Sequence, residues 1–280
     1  MSPLRLLKKT QLPSLVVMRM LCEAAPVFSA ITPEDMIVAS YPKSGSTMFH
    51  FVWSNLERHF EGLEAPVTFQ NISTDYTNAY PKISKFRKNW KHIPRPIKTH
   101  LPRKFIPITT SKIIHISRHP ADVMISYFHY EKKKKNSKFS AKTLSEFIRD
   151  DDCGVNSWIR FTKSWQKTNT LQVSYDDLRF KPVECLEALV DVLDIDKIMR
   201  DQLENIARIS SFENVRKLEG MFGHREERAQ IFEGNARFAR SGASGQYLDE
   251  MTNVDQDFIR EQISRAGLEK YWSAVPSIFD

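Results

Sequence analysis

Apolar residues fall in short runs that alternate with stretches of helical spacing. Met36-Ile-Val-Ala-Ser40 has the length and apolarity of a buried strand. It runs into Tyr41-Pro-Lys-Ser-Gly-Ser-Thr47, a turn sequence, after which Met48, Phe49, Phe51, Val52, Trp53 and Leu56 recur at helical spacing. Ile97 and its neighbours predict a second short strand before Thr99-His-Leu-Pro102. Lys112-Ile-Ile-His-Ile-Ser117 predicts a third, and Arg118-His-Pro120 turns it into a helix from Ala121, proline suiting a helix start. Leu171-Gln-Val-Ser-Tyr175 predicts a fourth, with Asp176 in the N-cap region of the next element. Helices are predicted over Glu184 to Leu193 and Asp201 to Ile209.

Strands alternating with helices predict an α/β fold: a single domain with a mainly parallel central sheet flanked by helices. Ligands of such sheets sit at the carboxyl ends of the strands. The loops at 41–47 and 118–120 therefore belong at one edge. No repeat or Gly/Ser linker divides the chain. The expected organisation is an N-terminal segment, 1–35, packing on a domain spanning 36–280. Residues 220–246 break the pattern: they hold five of the nine glycines, with Arg225, Arg228, Arg237 and Arg240 among them. A basic loop of that length is expected to be either functional or disordered. Trp158, Phe161 and Trp165, three and four apart, read as core, with a pocket wall as the sharper alternative.

Composition narrows the class. The 280 residues are 41% hydrophobic and 27% charged, which fits a folded chain and not a disordered one. The balance of 41 Lys+Arg against 34 Asp+Glu gives +7 and suggests an anionic partner: nucleic acid, a membrane surface or a phosphorylated small molecule. Cys22, Cys153 and Cys185 form no CxxC pair, which argues against a disulfide framework or zinc site and for a reducing, cytoplasmic compartment. No run approaches the roughly 18 apolar residues of a membrane span. Arg5, Lys8, Lys9 and Arg19 precede the first acid, and the apolar run ending at Met20 is interrupted by Arg19 and bracketed by Pro13 and Pro26. A packed segment is expected there in preference to a targeting peptide. Asn71-Ile-Ser73 is a glycosylation sequon by spelling only.

Three segments carry candidate chemistry. Lys43-Ser-Gly-Ser-Thr47, between strand and helix, offers backbone N–H groups, hydroxyls, an ammonium and the positive end of a helix dipole, which together suit a phosphate. Its lysine precedes the glycine, so it is not the Walker spelling; the alternative is an ordinary capped turn. His100 and Lys98 share a face of an extended segment, where an imidazole can take a proton from a hydroxyl and an ammonium can stabilise negative charge. The alternative, the commoner one for a histidine taken alone, is a satisfied surface histidine. Arg118 at a strand end and Ser126 two turns into the next helix could face one anion, or Arg118 a surface ion pair. The run Lys132 to Lys135 reads as a solvated face.

Taken in order, these pieces resemble the cytosolic sulfotransferase family. Tyr41-Pro-Lys-Ser-Gly-Ser-Thr47 is similar to its 5′-phosphosulfate loop and Lys98-Thr-His-Leu-Pro102 to the segment with its catalytic histidine. Ser117-Arg-His-Pro-Ala-Asp-Val123, continued to Ser126-Tyr-Phe-His-Tyr130, resembles its 3′-phosphate segment. Ser174-Tyr-Asp-Asp-Leu178, Ser210-Ser-Phe212 and Arg240-Ser-Gly-Ala-Ser-Gly245 resemble its tyrosine-acid strand end, adenine-side segment and late glycine loop. The resemblance runs from about residue 36 to 272 and implies the P-loop-kinase-like sulfotransferase fold.

It further implies an enzyme of the EC 2.8.2 type that moves a sulfuryl group from 3′-phosphoadenosine 5′-phosphosulfate (PAPS) to a hydroxyl or amine, releasing adenosine 3′,5′-bisphosphate (PAP), without a metal. His100 would be the general base, with Lys43 and Lys98 stabilising charge. Ser44, Gly45, Ser46 and Thr47 would hold the 5′-phosphate. Arg118, Ser126 and Arg240 would hold the 3′-phosphate, with Ala239, Ser241 and Gly242 alongside. Tyr175, Ser210, Phe212 and Phe238 would surround the adenosine. Met48 stands where the family has a tryptophan on the adenine, and Ser241 where it has a lysine. Softer stacking and a weaker 3′-phosphate grip are therefore expected. Of the family's dimer motif only Thr252 remains, so a monomer or weak homodimer is expected.

The acceptor pocket is expected from Phe69, Tyr76, Phe86, Trp90, Phe139 and Trp158, an aromatic lining that favours a phenol, catecholamine or other monoamine, or steroid-like alcohol. Asp75 and Asp150 to Asp152 could pair with an amine. The main alternative is a sulfotransferase-like nucleotide-binding protein without turnover. A P-loop kinase would need lysine after the glycine, a nucleic-acid binder would need a recognisable module, and a Golgi enzyme would need an anchor.

Overall fold

The computed structural model describes residues 31–72, 90–106, 110, 112–135, 137–139, 142–166, 170–223 and 240–280. Tyr76, Phe86, Phe238, Ala239, Asp75, Ser73 and the segment 1–30 lie outside them. Four strands, β1 (Met36–Ser40), β2 (Pro96–Thr99), β3 (Ile113–Ser117) and β4 (Leu171–Ser174), form one all-parallel sheet in the order β2-β1-β3-β4. The helices are α1 (Ser46–Phe60), α2 (Pro120–Lys132), α3 (Leu144–Ile148), α4 (Val155–Gln166), α5 (Tyr175–Phe180), α6 (Pro182–Val192), α7 (Arg200–Ile209), α8 (Phe212–Phe222), α9 (Tyr247–Glu250), α10 (Asn253–Arg265) and α11 (Lys270–Ser273). None of them is long and apolar enough to cross a membrane.

Strand pleating explains the layers. Met36 and Val38 of β1, with Ile114 and Ile116 of β3, face one side. There they meet Phe49, Trp53 and Leu56 of α1, Leu186 and Leu189 of α6 and Leu203 of α7. Ile37 and Ala39 face the other side and meet Ala121 and Ile125 of α2, Trp158 and Trp165 of α4 and Ile259 and Ile263 of α10. Both faces are covered, which is why these strands are continuously apolar. At the amino-terminal edge the buried Arg95 guanidinium grips Asp35 through two bonds of 2.9 and 2.7 Å, pinning β2 to β1.

The register sets the site. Ala39 pairs with Thr99, Ser40 with Ile116 and Ser117 with Ser174, so all four strands end at one edge. The next residue of each strand is Tyr41, His100, Arg118 or Tyr175. Two expectations are corrected. The fourth strand stops at Ser174, not Tyr175, because the Ser174 hydroxyl accepts the Asp177 N–H (2.9 Å) and the Asp177 carboxylate accepts the Ser174 N–H (3.0 Å). Ser174 is thus the N-cap, and Asp176 lies in the first turn. Gly220 lies inside α8, so the expected loop begins only after Phe222, at Gly223 with its φ of 67°.

Candidate nucleotide and transfer site

The turn between β1 and α1 bends through two left-handed residues, Lys43 at φ 71° and Gly45 at φ 110°. Gly45 is required there twice over. Its φ disfavours other residues, and a Cβ would stand 2.8 Å from the Tyr175 ring. Gly45 is also the N-cap of α1, and no side chain caps that helix. Its first N–H groups and dipole end are therefore offered to a ligand. Ser44 is buried and its hydroxyl has no partner. A buried polar group without a partner is costly, and an anion is its natural complement.

Beside this loop, His100 Nδ1 lies 2.6 Å from the Ser40 carbonyl oxygen. A carbonyl only accepts, so Nδ1 carries the hydrogen and Nε2 is a bare acceptor. Burial, then the Lys98 ammonium, then that of Lys43 push the imidazole down to about 3, against the Ser40 bond, which favours protonation. His100 is consequently a neutral base flanked by two cations. His50 and His115 are held neutral in the same way, at about 3 and about 4, burial being the main cause.

These histidines make stability depend on pH. Below about pH 6.5 the unfolded chain protonates them and the folded chain does not. Stability therefore falls on acidification, by about 1.4 kcal/mol per pH unit for each histidine. The melting temperature of the ligand-free protein should drop between pH 6.5 and 5, above the range where most carboxylates titrate. A flat profile there would contradict the buried, neutral state.

The late loop folds back onto the same edge. Arg118, buried, donates from Nη2 to the Ala243 carbonyl (2.7 Å) and lies 4.2 Å over the Tyr175 ring, while its Nε–H has no partner. The Tyr175 hydroxyl donates to the Gly242 carbonyl at 2.9 Å. Gly242, at φ 67°, leaves no room for a Cβ, which would sit 2.8 Å from the Phe212 ring. Asp122, buried in the first turn of α2, accepts the N–H groups of Gly245 (2.8 Å) and Tyr247 (3.3 Å). Arg240 pairs with Glu250 at 3.2 Å and donates to Gln246. Asp122→Ala removes two acceptors from backbone amides. It should destabilise the protein by about 1–3 kcal/mol, read as a lower melting temperature, and should weaken nucleotide binding through the loosened loop. Unchanged melting would contradict the anchoring role of Asp122.

Lys43, Gly45, Ser46, Thr47, Met48, Lys98, His100, Arg118, Ser126, Tyr175, Ser210, Phe212, Arg240, Ser241 and Gly242 all line one cavity of about 300 Å³. Ser44 lies behind its wall. Of the expected acceptor residues, Phe69 lines it, packed edge-on to Phe51 at 4.9 Å. Trp90 packs behind that pair. Phe139 and Trp158 are not in the lining. They are fully buried in the core, edge-on to Phe147 (4.8 Å) and Tyr271 (5.4 Å), because these pairs fill the layer on the α2 and α4 side of the sheet. Asp150 and Asp152 face Lys138 at 3.2 and 3.7 Å, so their charge is met outside the cavity.

Part of the lining was not expected from the sequence. Phe51, Tyr127, Tyr130, Glu131 and Val215 line the cavity, and so do Lys133 and Lys134. Helical spacing from Ser126 was the available signal for the α2 set. The charge run is corrected accordingly: Lys132 and Lys135 are exposed, but Lys133 and Lys134 are partly buried in the cavity wall. Asn55 was also missed. It is buried in α1, donates to the Ser210 hydroxyl at 2.9 Å and accepts the Val67 N–H at 2.9 Å, fixing Ser210.

A parallel sheet whose carboxyl edge gathers an anion cradle, a neutral base and several cations defines a group-transferring enzyme for an anionic ligand. The chain belongs to the sulfotransferase domain family, whose model matches residues 33–270. It is 26% identical over 265 residues to flavonol 3-sulfotransferase of Flaveria bidentis, covering 84% of each chain. Among solved structures it superposes on mouse sulfotransferase SULT7A1 complexed with PAP, with a TM-score of 0.63, 22% identity and 92% and 93% coverage. It also superposes on retinol dehydratase in complex with androsterone and inactive cofactor PAP, with a TM-score of 0.64, 21% identity and 88% and 84% coverage. The family and fold expected from the sequence are thereby borne out.

Proposed function

We propose that residues 36–280 form the catalytic domain of a PAPS-dependent enzyme that sulfates a small aromatic acceptor. The observation that carries the reading is the joint placement of the uncapped α1 terminus, His100, Lys98 and Arg118 in one cavity. The donor set fits a bisphosphorylated nucleotide. The Ser44 hydroxyl and the Arg118 Nε–H, each buried without a partner, follow two different strands at the same sheet edge, and each suits an anion. PAPS supplies a sulfuryl group already activated by its phosphosulfate anhydride.

The residues divide the work by position. The N–H groups of α1, with Ser44, Gly45, Ser46 and Thr47, bind the 5′-phosphate, and Lys43 stabilises charge developing on the leaving oxygen. Arg118, Ser126 and Arg240 bind the 3′-phosphate. Tyr175, Ser210, Phe212 and Met48 enclose the adenosine. His100 accepts the acceptor's hydroxyl proton at Nε2, its tautomer fixed by Ser40, while Lys98 holds the sulfuryl oxygens. The aromatic wall of Phe51, Phe69, Tyr127 and Tyr130 suits a flat phenol. The flavonol of the Flaveria relative's name is a phenolic ring compound, and the androsterone bound to retinol dehydratase is a ring alcohol.

Ligand-induced stabilisation tests the nucleotide class. PAP should raise the melting temperature in the presence of a chelator, and ATP with magnesium should not. Stabilisation by magnesium-ATP without any by PAP would overturn the reading in favour of a kinase.

A further inference from the structure

The α2 face that carries Ser126 continues to Lys133, two turns further along the helix. Both residues line the cavity, together with Arg118 and Arg240. Lys133 is the C-cap residue of α2, and it is only partly exposed. The charged groups that act on it include Arg240 of the late loop and the buried Glu219 of α8. Burial and the Arg240 charge both lower its proton affinity, and Glu219 offsets them only in part. Arg240 is already paired with Glu250 at 3.2 Å, yet its charge still opposes that of Lys133, an opposition that an anion bound between these two lining residues would relieve.

The late loop does not itself supply a second cation there. Ser241 follows Arg240, and its hydroxyl is already taken by Gln246, whose Nε2 donates to it at 2.6 Å. Gln246 in turn accepts from Arg240, so among the described residues 240–245 this corner holds one guanidinium. The end of α2 brings an ammonium to the same cavity from a different element.

We propose that Lys133 is a ligand of the nucleotide's 3′-phosphate, acting with Arg118, Ser126 and Arg240 and supplying from α2 the cation absent at position 241. The inference rests on the reading of the nucleotide as PAPS or PAP. It gives this chain a 3′-phosphate site built from the β3 edge, the late loop and α2, each delivering one cation.

The test is calorimetric binding of PAP and of adenosine 5′-phosphate to the ligand-free full chain, in wild type, Lys133→Ala, Lys133→Arg and Lys132→Ala. Lys133→Ala should weaken PAP by about ten-fold, leave adenosine 5′-phosphate unchanged and flatten the salt dependence of PAP binding. Lys133→Arg should restore most of the PAP affinity, and the exposed Lys132→Ala should match wild type. Lys133→Ala binding PAP like wild type, or losing both nucleotides equally, would overturn the proposal. So would a raised acceptor KM with PAP affinity intact, which would assign Lys133 to the acceptor. A wild-type protein that binds no PAP would instead overturn the nucleotide reading on which the proposal rests.

Discussion

Replacing His100 by alanine should cut turnover by about 10²- to 10⁴-fold while PAP affinity stays near wild type. The reason is geometric. The Ser40 carbonyl holds Nδ1–H at 2.6 Å, so the ring's available lone pair is at Nε2, in the cavity wall. Burial, Lys98 and Lys43 keep the imidazole unprotonated down to about pH 3. The base is thus in its working form throughout the neutral range. In the ligand-free protein the His100 ring resonances should not titrate between pH 7 and 5. A transition near 6.5 would mean a solvated, ordinary histidine. An alanine variant that turns over at the wild-type rate would remove His100 from the chemistry.

Arg118→Ala should weaken PAP by about a hundred-fold, the largest binding effect expected at any single position. Arg118 does two things at once. Its buried Nε–H has no protein partner, which leaves a charged donor for the nucleotide. Its Nη2 and its stacking on Tyr175 tie the Ala243 carbonyl to the sheet edge, so the variant also frees the late loop. Lysine cannot reproduce a planar group that stacks and donates in two directions, so Arg118→Lys should recover only part of the affinity. Adenosine 5′-phosphate, which lacks the 3′-phosphate, should lose less. Calorimetry on both ligands separates the cases. Equal losses for the two would make Arg118 a purely structural residue.

Much of the sheet edge was legible because each site residue follows a strand directly. Three of the four strands could be read to within a residue from their apolar runs, with Ile97 marking the second, so Tyr41, His100 and Arg118 were placed correctly by position alone. Tyr175 was placed in the strand when it opens a helix, because capping by Ser174 depends on a reciprocal bond with Asp177 that an apolar run does not display. The late loop was legible in its glycines, but its anchorage was not. Asp122 reaches across 123 residues to the Gly245 amide, a contact set by tertiary packing and invisible to local pattern.

The acceptor side was the least legible. Aromatic residues look alike in sequence whether they fill a core or line a pocket. Phe139 and Trp158 went to the core because Phe147 and Tyr271 already fill the layer beside them. Phe51 of α1 lines the cavity, and Phe69, in the loop after α1, lines it by packing edge-on to Phe51. Charge was similarly ambiguous. The run Lys132 to Lys135 reads as one solvated patch, yet the end of the helix turns two of its members inward. The formal charge of +7 matters less than the few cations the fold concentrates around the cavity.

The central claim is sulfuryl transfer from PAPS at this cavity, and transfer of radiolabelled sulfate tests it most directly. Purified protein, sulfur-labelled PAPS and a simple phenol are combined with a chelator, and labelled ester and released PAP are counted. The account predicts equal amounts of ester and PAP from the wild type, and almost none of either from His100→Ala. PAPS that binds tightly but passes no label to phenols, alcohols or amines would contradict it, and would leave a nucleotide-binding protein without turnover.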